Sequence, residues 1–327
     1  MRAIVVDSPS EKLNALQVRD VQEPVAEPGE ILIKVAYCGC NWADTQVRSG
    51  VYPHHIDYPV IPGMEVSGTV SAKGHGVTSL SVGDRVTTLV SSGGYAEVCA
   101  ANASVVARLP HGVGLDVAAA YPVQALTAYY MLHTVHTLRA GESVLVHAVG
   151  GGVGLFVTQL AVRLGARVIG TGGTPGKENL ALRYGADTVI NLNQTNFVST
   201  VLDLTDGRGV DLAIDSLGAK TLDRTFDAVR FLGDVINIGE AEGTPFKNIR
   251  DRVLARSQSF TRFSIHHVMG LPDLWAEGND YLLGAVSEGW LDVPIVERFP
   301  LERAHEMHAK IEGRGISGKL LLEVGGG

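Results

Sequence analysis

Short apolar runs separated by turn residues fill the N-terminal third of the chain. They are "AIVV", "EILIKVAYCG", "VSGTVSAKG", "DRVTTLV" and "YAEVCA", with proline or glycine between them. Short runs that are rich in valine, isoleucine and threonine predict β-strands, and the residues between them predict turns. We therefore expect a small, barrel-like all-β unit over residues 1–112.

Strand-like and helix-like segments alternate from Val113 onward. The strand-like segments are "SVLVHA", "ARVIGT", "DTVIN", "VDLAID", "DVINIG" and finally "SFTRFSI". Nearly continuous apolar strands that alternate with helices predict an α/β fold with a doubly wound parallel sheet, the Rossmann architecture. We place this unit at residues 113–268, after the "PHGVG" boundary. Residues 269–327 end in the strand "GKLLLEV" and are expected to complete the first unit.

The turn after the first of these strands, "AVGGGVG", carries small residues at the spacing A-x-x-G-x-x-G. Small residues there permit a tight turn, close approach of the backbone to a pyrophosphate, and close packing of helix on strand. The following helix would supply N–H donors and the positive end of its dipole. A packing turn without a ligand is the alternative. The residues expected to contact a dinucleotide are Gly151, Gly152, Val153 and Gly154.

No acidic residue stands at the end of the second strand, "ARVIGT", where an NAD site would place Asp or Glu on the ribose. The sequence has "GTGGTPGK" instead. Without a carboxylate, a 2′-phosphate meets no repulsion, and Lys177 is close enough along the chain to neutralise it. Thr174 could donate its hydroxyl to that phosphate, cap a helix that begins at Pro175, or do both. We predict NADPH rather than NADH.

Composition and charge narrow the range of partners. The chain has 327 residues, enough for two domains, and 27 Lys and Arg against 35 Asp and Glu give a net charge of −8. We see no basic face for nucleic acid or an anionic membrane, and no apolar stretch long enough for a membrane span. The N-terminus does not resemble a signal peptide, and three cysteines are too few for a disulfide framework. We expect a cytoplasmic protein.

Several segments match one known family in order and spacing. They are "NWADTQVRSGVYP", "GGYAEV", "ALTAYYML", "GESVLVHAVGGGVGLFVTQLA" and "YGADTVIN", and the match extends over essentially the whole chain. The chain resembles the zinc-free quinone oxidoreductase (zeta-crystallin-like) branch of the medium-chain dehydrogenase/reductase superfamily. The resemblance implies that the β unit is GroES-like and that the protein is a homodimer. Departures from the pattern include Gln46, Val149, Val162 and Leu192, the last where relatives have a 2′-phosphate-contacting Tyr.

No metal site is expected. Alignment on "RSGVYP", "IPGMEVSG" and "PVQALTA" places Asn41, Met64 and Val123 where zinc-dependent relatives hold the catalytic metal. Zinc prefers thiolate, imidazole or carboxylate ligands, which these side chains do not offer. We interpret the adjacent pairs His54–His55 and His266–His267 as exposed polar residues, because neighbours point different ways in regular structure.

Without a metal, the acceptor must delocalise the charge left by an incoming hydride, as a quinone or an α,β-unsaturated carbonyl does. The resemblance implies that Tyr52 donates the proton and that Asn41 lines the nicotinamide pocket. A packed loop tyrosine with its hydroxyl in water is the alternative for Tyr52. Asp44 and Arg48 lie four residues apart, and we expect them to form an ion pair on a helix.

Four further residues are candidates for cofactor binding. The resemblance implies that the hydroxyl of Thr127 meets the nicotinamide carboxamide and that the backbone of Phe263, in the sixth strand, borders the nicotinamide. An ordinary helical threonine and a core phenylalanine are the alternatives. Ser216 and Gly239 follow the fourth and fifth strands, at the sheet edge where ligands collect.

The sequence predicts an NADPH-dependent, metal-free reductase of quinones or conjugated carbonyls. Two alternatives stay open: an enoyl-thioester reductase on the same scaffold, and a non-catalytic NADPH-binding or structural protein. The first would need a basic or long acyl pocket, and the second leaves no mark in a sequence.

Overall fold

A computed structural model describes residues 1–243 and 248–325 of the chain. The chain divides into two compact units. The first combines Met1–Leu126 with the segment from His266 onward, and the second comprises Thr127–Ile265. Among the described helices, none combines the length and the apolar character needed to cross a membrane.

The first unit is mostly β-structure. Its strands are β1 (Arg2–Val5), β2 (Gln17–Asp20), β3 (Glu30–Cys40), β4 (Glu65–Lys73), β5 (Arg85–Leu89), β6 (Val98–Asn102), β7 (Val106–Arg108), β14 (Ile295–Pro300) and β15 (Lys319–Glu323). The main sheet has the order β14-β15-β3-β4-β5-β7, β6 also pairs with β3, and β1 pairs with β2. Strand β15 therefore returns from the end of the chain and lies antiparallel to β3.

Helices and short turns complete the first unit. The α-helices are α1 (Trp42–Ser49), α2 (Leu115–Ala120), α9 (Pro272–Ser287) and α10 (Ala304–Glu312), and short 3-10 helices cover Leu13–Ala15, Ala103–Val105, Ile265–Gly270 and Leu301–Arg303. Helix α3 (Pro122–Tyr130) continues from the first unit into the second and is followed by a π-helical turn at Met131–Val135.

The second unit is a parallel sheet with helices between its strands. The strands are β8 (Ser143–Val146), β9 (Arg167–Gly172), β10 (Thr188–Asn191), β11 (Val210–Asp215), β12 (Val229–Asn237) and β13 (Ser259–Arg262). The helices are α4 (Gly152–Arg163), α5 (Glu178–Arg183), α6 (Phe197–Leu204), α7 (Ala219–Ala228) and α8 (Ile249–Arg256).

The strand order in this sheet is β10-β9-β8-β11-β12-β13, and every neighbouring pair is parallel. Every residue of β8 and β11 is buried, because layers on both faces of a parallel sheet exclude water. The predicted α/β class, with a Rossmann sheet and a mostly β unit, is confirmed. The order reverses between β8 and β11, which is where ligands collect in such sheets.

The boundary between the units differs from the one expected at residues 112/113. Helix α2 packs on β3, β4 and β5 of the first unit, so the first unit extends to Leu126. The second boundary lies between Ile265 and His266 rather than at residues 268/269. A change from strands to helices along the sequence marks a change of local pattern, whereas packing decides which unit a helix joins.

Candidate active site

The turn between β8 and α4 is so tight that glycine is required. Ala148 has a φ of 52°, and its carbonyl oxygen accepts a hydrogen bond of 2.8 Å from the N–H of Gly151. A Cβ on Gly154 would lie 2.6 Å from the carbonyl oxygen of Val149. The first turn of α4 therefore packs directly on the glycine turn, and helix N-termini of this kind offer N–H groups to an anion.

The segment after β9 forms a turn rather than a helix cap. The N–H of Lys177 donates to the carbonyl oxygen of Thr174 at 3.3 Å, and Gly176 between them has a φ of 87°. Proline followed by a glycine with positive φ is typical of a type II turn. Helix α5 begins only at Glu178, so the expectation that Thr174 caps a helix beginning at Pro175 is wrong.

Lys177 lies directly against the glycine turn. A Cβ on Gly150 would come within 2.3 Å of the carbonyl oxygen of Lys177. Beside it is a cavity of about 60 Å³ lined by Gly172, Gly173, Thr174, Pro175, Glu178, Val189 and Asn191. An acidic residue, Glu178, therefore lines a cavity at the end of β9, where the sequence suggested none. Leu192 packs against the apolar core of this unit.

A buried histidine that the sequence analysis overlooked lies between β8 and the glycine turn. Nε2 of His147 is 2.8 Å from Oγ1 of Thr225, and its Nδ1 is 2.9 Å from Oγ1 of Thr171. The hydroxyl of Thr225 donates to the carbonyl oxygen of Thr221, so Nε2 donates to Thr225 and Nδ1 accepts from Thr171. Burial, with a smaller contribution from Arg224, lowers the pKa of His147 to about 3. A neutral imidazole thus holds the ends of β8 and β9 against α7.

Ser216, Gly239 and Phe263 lie at the carboxyl ends of β11, β12 and β13. A Cβ on Gly239 would lie 2.9 Å from the carbonyl oxygen of Ser216, and the N–H of Phe263 donates to Asn237 at 3.0 Å. The side chain of Asn237 bonds to Asp215 at 2.6 Å and to the carbonyl oxygen of Gly239 at 2.9 Å. Phe263 follows β13 rather than belonging to it, because the strand pairing ends one residue earlier.

Thr127 has a buried side chain in α3, in the middle of an otherwise mostly apolar helix. It is the first residue of the second unit. A buried hydroxyl on a helix can bond to a carbonyl oxygen of the preceding turn, as in an ordinary helical threonine, or to a ligand such as the nicotinamide carboxamide.

In the first unit, Asn41 is held by a buried ion pair. Its Nδ2 donates to Oε1 of Glu65 at 2.8 Å, and its Oδ1 accepts from Nζ of Lys319 at 2.7 Å. Lys319 and Glu65 are almost fully buried and bond to each other directly. The N–H of Val123 donates to Oε2 of Glu65 at 2.7 Å, and Nε2 of Gln124 donates to Asn41 at 3.3 Å.

Asn41 and Met64, two of the three residues aligned with the metal ligands of zinc-dependent relatives, make other contacts. Met64 is part of the apolar core, and the amide oxygen of Asn41 faces an ammonium group. Within residues 1–243 and 248–325, no three His, Cys, Asp or Glu side chains form a group that could hold a metal ion. Glu65 and Lys319 were not expected from the sequence, although each is a charged residue that begins a strand whose next three residues are buried.

Asp44 and Arg48 do not form the expected ion pair, although both lie on α1. Asp44 is fully buried, and its Oδ2 accepts the N–H of Asn41 at 2.8 Å in a capping box. Its Oδ1 accepts the N–H of Gly63 at 3.1 Å. Arg48 instead bonds to Oε1 of Glu312 at 2.6 Å. The expectation is wrong because Asp44 caps the start of the helix, whereas Arg48 faces α10. Burial raises the pKa of Asp44 to about 7.

Tyr52 lies in a cluster of histidine rings, and its hydroxyl has a protein partner. Its hydroxyl is 2.7 Å from Nε2 of His266. The ring of His54 lies 5.4 Å from the rings of both Tyr52 and His266, and 6.5 Å from that of His267. His54 and His267 are exposed as expected, but His266 is half-buried. A cavity of about 320 Å³ adjoins this cluster, lined by Gly50, Tyr52, Pro53, His54, His55, Ile56 and Tyr58.

Burial governs the protonation of both members of the Tyr52–His266 pair. It raises the pKa of Tyr52 to about 12, together with a smaller contribution from Asp44. It lowers the pKa of His266, with smaller contributions from His54 and His267. A neutral phenol beside a neutral imidazole at pH 7 is an arrangement that can donate a proton to a developing oxyanion.

Comparison with known proteins identifies the family. Residues 152–277 match the family of zinc-binding dehydrogenases, and residues 27–111 match the alcohol dehydrogenase GroES-like domain. A probable quinone oxidoreductase of Schizosaccharomyces pombe is 35% identical over 318 residues, 94% of this chain and 93% of that protein. A 2-haloacrylate reductase of a Burkholderia species is 33% identical over 303 residues, 90% of this chain and 91% of the relative.

A solved structure agrees with the sequence comparison. The quinone oxidoreductase of Escherichia coli, complexed with NADPH, superposes with a TM-score of 0.94 at 30% identity, covering 99% of this chain and 100% of the other. The two matched domains and these relatives define the class of enzyme as medium-chain dehydrogenases/reductases. Within that superfamily, the chain belongs to the quinone oxidoreductase (zeta-crystallin-like) branch, which confirms the resemblance seen in the sequence.

Proposed function

We propose that the protein transfers a hydride from NADPH to a quinone or an α,β-unsaturated carbonyl, without a catalytic metal ion. The observation that carries the proposal is the hydroxyl of Tyr52, held by His266 beside a cavity of about 320 Å³. The names of the relatives support this acceptor class, since a quinone and a 2-haloacrylate both have a carbon–carbon double bond conjugated to a carbonyl or carboxyl group.

The glycine turn of the second unit fits a dinucleotide. Its pyrophosphate is proposed to bind the backbone N–H groups of Gly151, Gly152, Val153 and Gly154. A Cβ on the preceding residue, Gly150, would collide with the carbonyl oxygen of Lys177. When bound, the nicotinamide supplies the hydride. The residues proposed to bind the rest of the cofactor are Asn41, Thr127, Ser216, Gly239 and Phe263.

Lys177 and Thr174 are proposed to bind the 2′-phosphate of NADPH. Lys177 lies against the glycine turn, and Thr174 lines the adjoining cavity. Glu178 lines the same cavity and would oppose a phosphate, so the ammonium of Lys177 has to outweigh it. The NADPH complex of the Escherichia coli relative supports the choice of cofactor.

The proposed role of Tyr52 is to protonate the oxygen of the reduced acceptor. Its pKa of about 12 keeps the phenol protonated at neutral pH, and a hydroxyl in a partly dry site stabilises a developing oxyanion strongly. Asn41 is fixed by Glu65 and Lys319, so its amide is preorganised and needs no reorientation when a ligand binds.

An acceptor panel tests the function. Oxidation of NADPH would be followed at 340 nm with a benzoquinone, an enone and a crotonyl thioester, with chelated buffer and with NADH as the comparison. We expect the quinone or the enone to react in the chelated buffer. Faster reaction with the crotonyl thioester would favour an enoyl-thioester reductase, and binding of NADPH without turnover would favour a non-catalytic role.

The homodimer and the cytoplasmic location stay predictions. Strand β13 is at the edge of the six-stranded sheet and pairs only with β12 within the described chain, so its outer edge could pair with a second copy. Sedimentation of the purified protein would measure the oligomeric state.

A further inference from the structure

The hydrogen bond between Tyr52 and His266 joins two residues that are 214 positions apart in the sequence. Both side chains are half-buried, and the atoms that meet are the phenolic oxygen and Nε2. His266 lies in the 3-10 helix Ile265–Gly270, and Tyr52 lies in the loop after α1. Because each group can either donate or accept, the direction of this bond decides what Tyr52 can do.

Two arrangements satisfy the bond. With the proton on Nε2, the imidazole donates to the phenolic oxygen, and the O–H of Tyr52 stays available to a molecule in the cavity. With the proton on Nδ1, the phenol must donate to Nε2 and has no proton left to offer. In residues 1–243 and 248–325, no acceptor is bonded to Nδ1 of His266, so nothing there holds a proton on that nitrogen.

We propose that His266 carries its proton on Nε2, donates to the phenolic oxygen of Tyr52, and reprotonates Tyr52 during turnover. This proposal rests on the proposed reduction of a quinone or enone. The acceptor gains a hydride and becomes an oxyanion, the O–H bond of Tyr52 breaks toward that oxygen, and the Nε2–H bond of His266 breaks toward the phenolate. Solvent protonates Nδ1 in the same step, so the imidazole stays neutral, and proton exchange with solvent then restores the Nε2–H form; atoms and charge balance.

The surroundings of His266 suit this relay. The exposed ring of His54 contacts both Tyr52 and His266, which gives the imidazole a short route to water. The titratable groups that influence the pair are His54 and His267 beside His266, and Asp44 beside Tyr52. Since burial makes tyrosinate costly, a nearby donor is needed to restore the phenol after each cycle.

The tautomer can be measured without cofactor or substrate. Nitrogen-15 NMR of histidine-labelled protein at pH 8 would report which ring nitrogen of His266 is protonated, with His266→Gln used to assign the signal. We expect a proton on Nε2, and Tyr52→Phe should shift that nitrogen because its acceptor is lost. A proton on Nδ1 of His266 would overturn the proposal, whether or not the quinone reaction succeeds.

Kinetics test the relay itself. His266→Gln keeps an N–H donor but cannot pass a proton on, and His266→Ala leaves space for added imidazole. Both variants should lower kcat by about tenfold or more while the Kd for NADPH, measured by fluorescence, stays unchanged. Added imidazole should restore turnover in His266→Ala but not in Tyr52→Phe.

His267→Gln is the matched control. It removes the neighbouring, exposed imidazole, which forms no hydrogen bond to Tyr52 within the described chain, and it should keep the wild-type kcat. Unchanged kcat in His266→Gln, or a loss in His266→Ala that imidazole does not restore, would refute the relay while leaving the proposed function intact. A wild-type enzyme that oxidises no NADPH with any acceptor would instead refute the proposed function.

Discussion

The glycine turn of the second unit, which is proposed to bind a dinucleotide, depends on backbone geometry. The network around Asn41 in the first unit depends instead on buried polar side chains that bond to one another. The glycine turn depends on the absence of Cβ atoms at Gly150 and Gly154. The network around Asn41 depends on Glu65 and Lys319, which come from different strands. The first arrangement should fail when atoms are added, and the second when charges are removed.

The largest effect is expected from Lys319→Met. It leaves the carboxylate of Glu65 buried without its cation, which typically costs about 3–5 kcal/mol of unfolding free energy. Lys310→Met is the matched control, because its ammonium pairs with Glu297 at the surface, where such pairs contribute at most about 1 kcal/mol. Urea denaturation measures both. Similar losses of unfolding free energy in the two variants would show that the buried pair contributes no more to stability than a surface pair.

Gly154→Ala should have the next largest effect. Its Cβ would lie 2.6 Å from the carbonyl oxygen of Val149, and relief of such overlap typically costs about 1–3 kcal/mol. Gly284→Ala, in the last turn of α9 where a Cβ meets nothing within 4 Å, should instead stabilise the protein by about 0.5–1 kcal/mol. Urea denaturation and NADPH titration would be compared, and equal effects in both variants would contradict the close packing.

Lys177→Ala should weaken the binding of NADPH by about tenfold, or about 1.4 kcal/mol, and leave the affinity for NADH unchanged, because only NADPH carries the 2′-phosphate. Glu178→Gln should have the opposite effect on NADPH binding, since it removes a negative charge from a residue that lines the cavity beside Lys177. Lys34→Ala, on β3 of the first unit, is the control cation. Isothermal titration gives the affinities, and equal weakening of both cofactors by Lys177→Ala would rule out the phosphate contact.

The smallest effect concerns acid sensitivity. The pKa of His147 is about 3 in the folded protein against 6.5 as the ordinary value, so the unfolded chain binds the extra proton. Its contribution to stability is complete above pH 6.5 and is lost as the pH falls toward 3. Between pH 6.5 and 5.5, wild type should lose about 1 kcal/mol more unfolding free energy than His147→Gln. Equal losses of unfolding free energy in wild type and in His147→Gln would mean that His147 is not buried in its neutral form.

The sequence predicted the class of fold and the glycine turn because both depend on local patterns. Alternating strands and helices have their own periodicities, and the spacing of glycines reports a backbone requirement within a few residues. Thr174 was assigned a cap because proline can begin a helix as well as a turn, and only the positive φ of Gly176 decides between them.

The contacts that the sequence analysis missed join distant parts of the chain. Lys319 meets Asn41 across 278 residues, and His266 meets Tyr52 across 214. Neither pairing has a local signal, because the partners lie on elements that are far apart along the chain. The expected Asp44–Arg48 pair was wrong for the same reason, because the partner of Arg48 is on α10.

The return of β15 to β3 has a consequence for biosynthesis. The second unit is continuous along the chain, so all of its residues are synthesised before β14 and β15. The first unit lacks β15, and with it the only ammonium that Glu65 bonds in the described chain, until the last strand is translated. We therefore expect the sheet of the first unit to be completed only after the second unit has been synthesised.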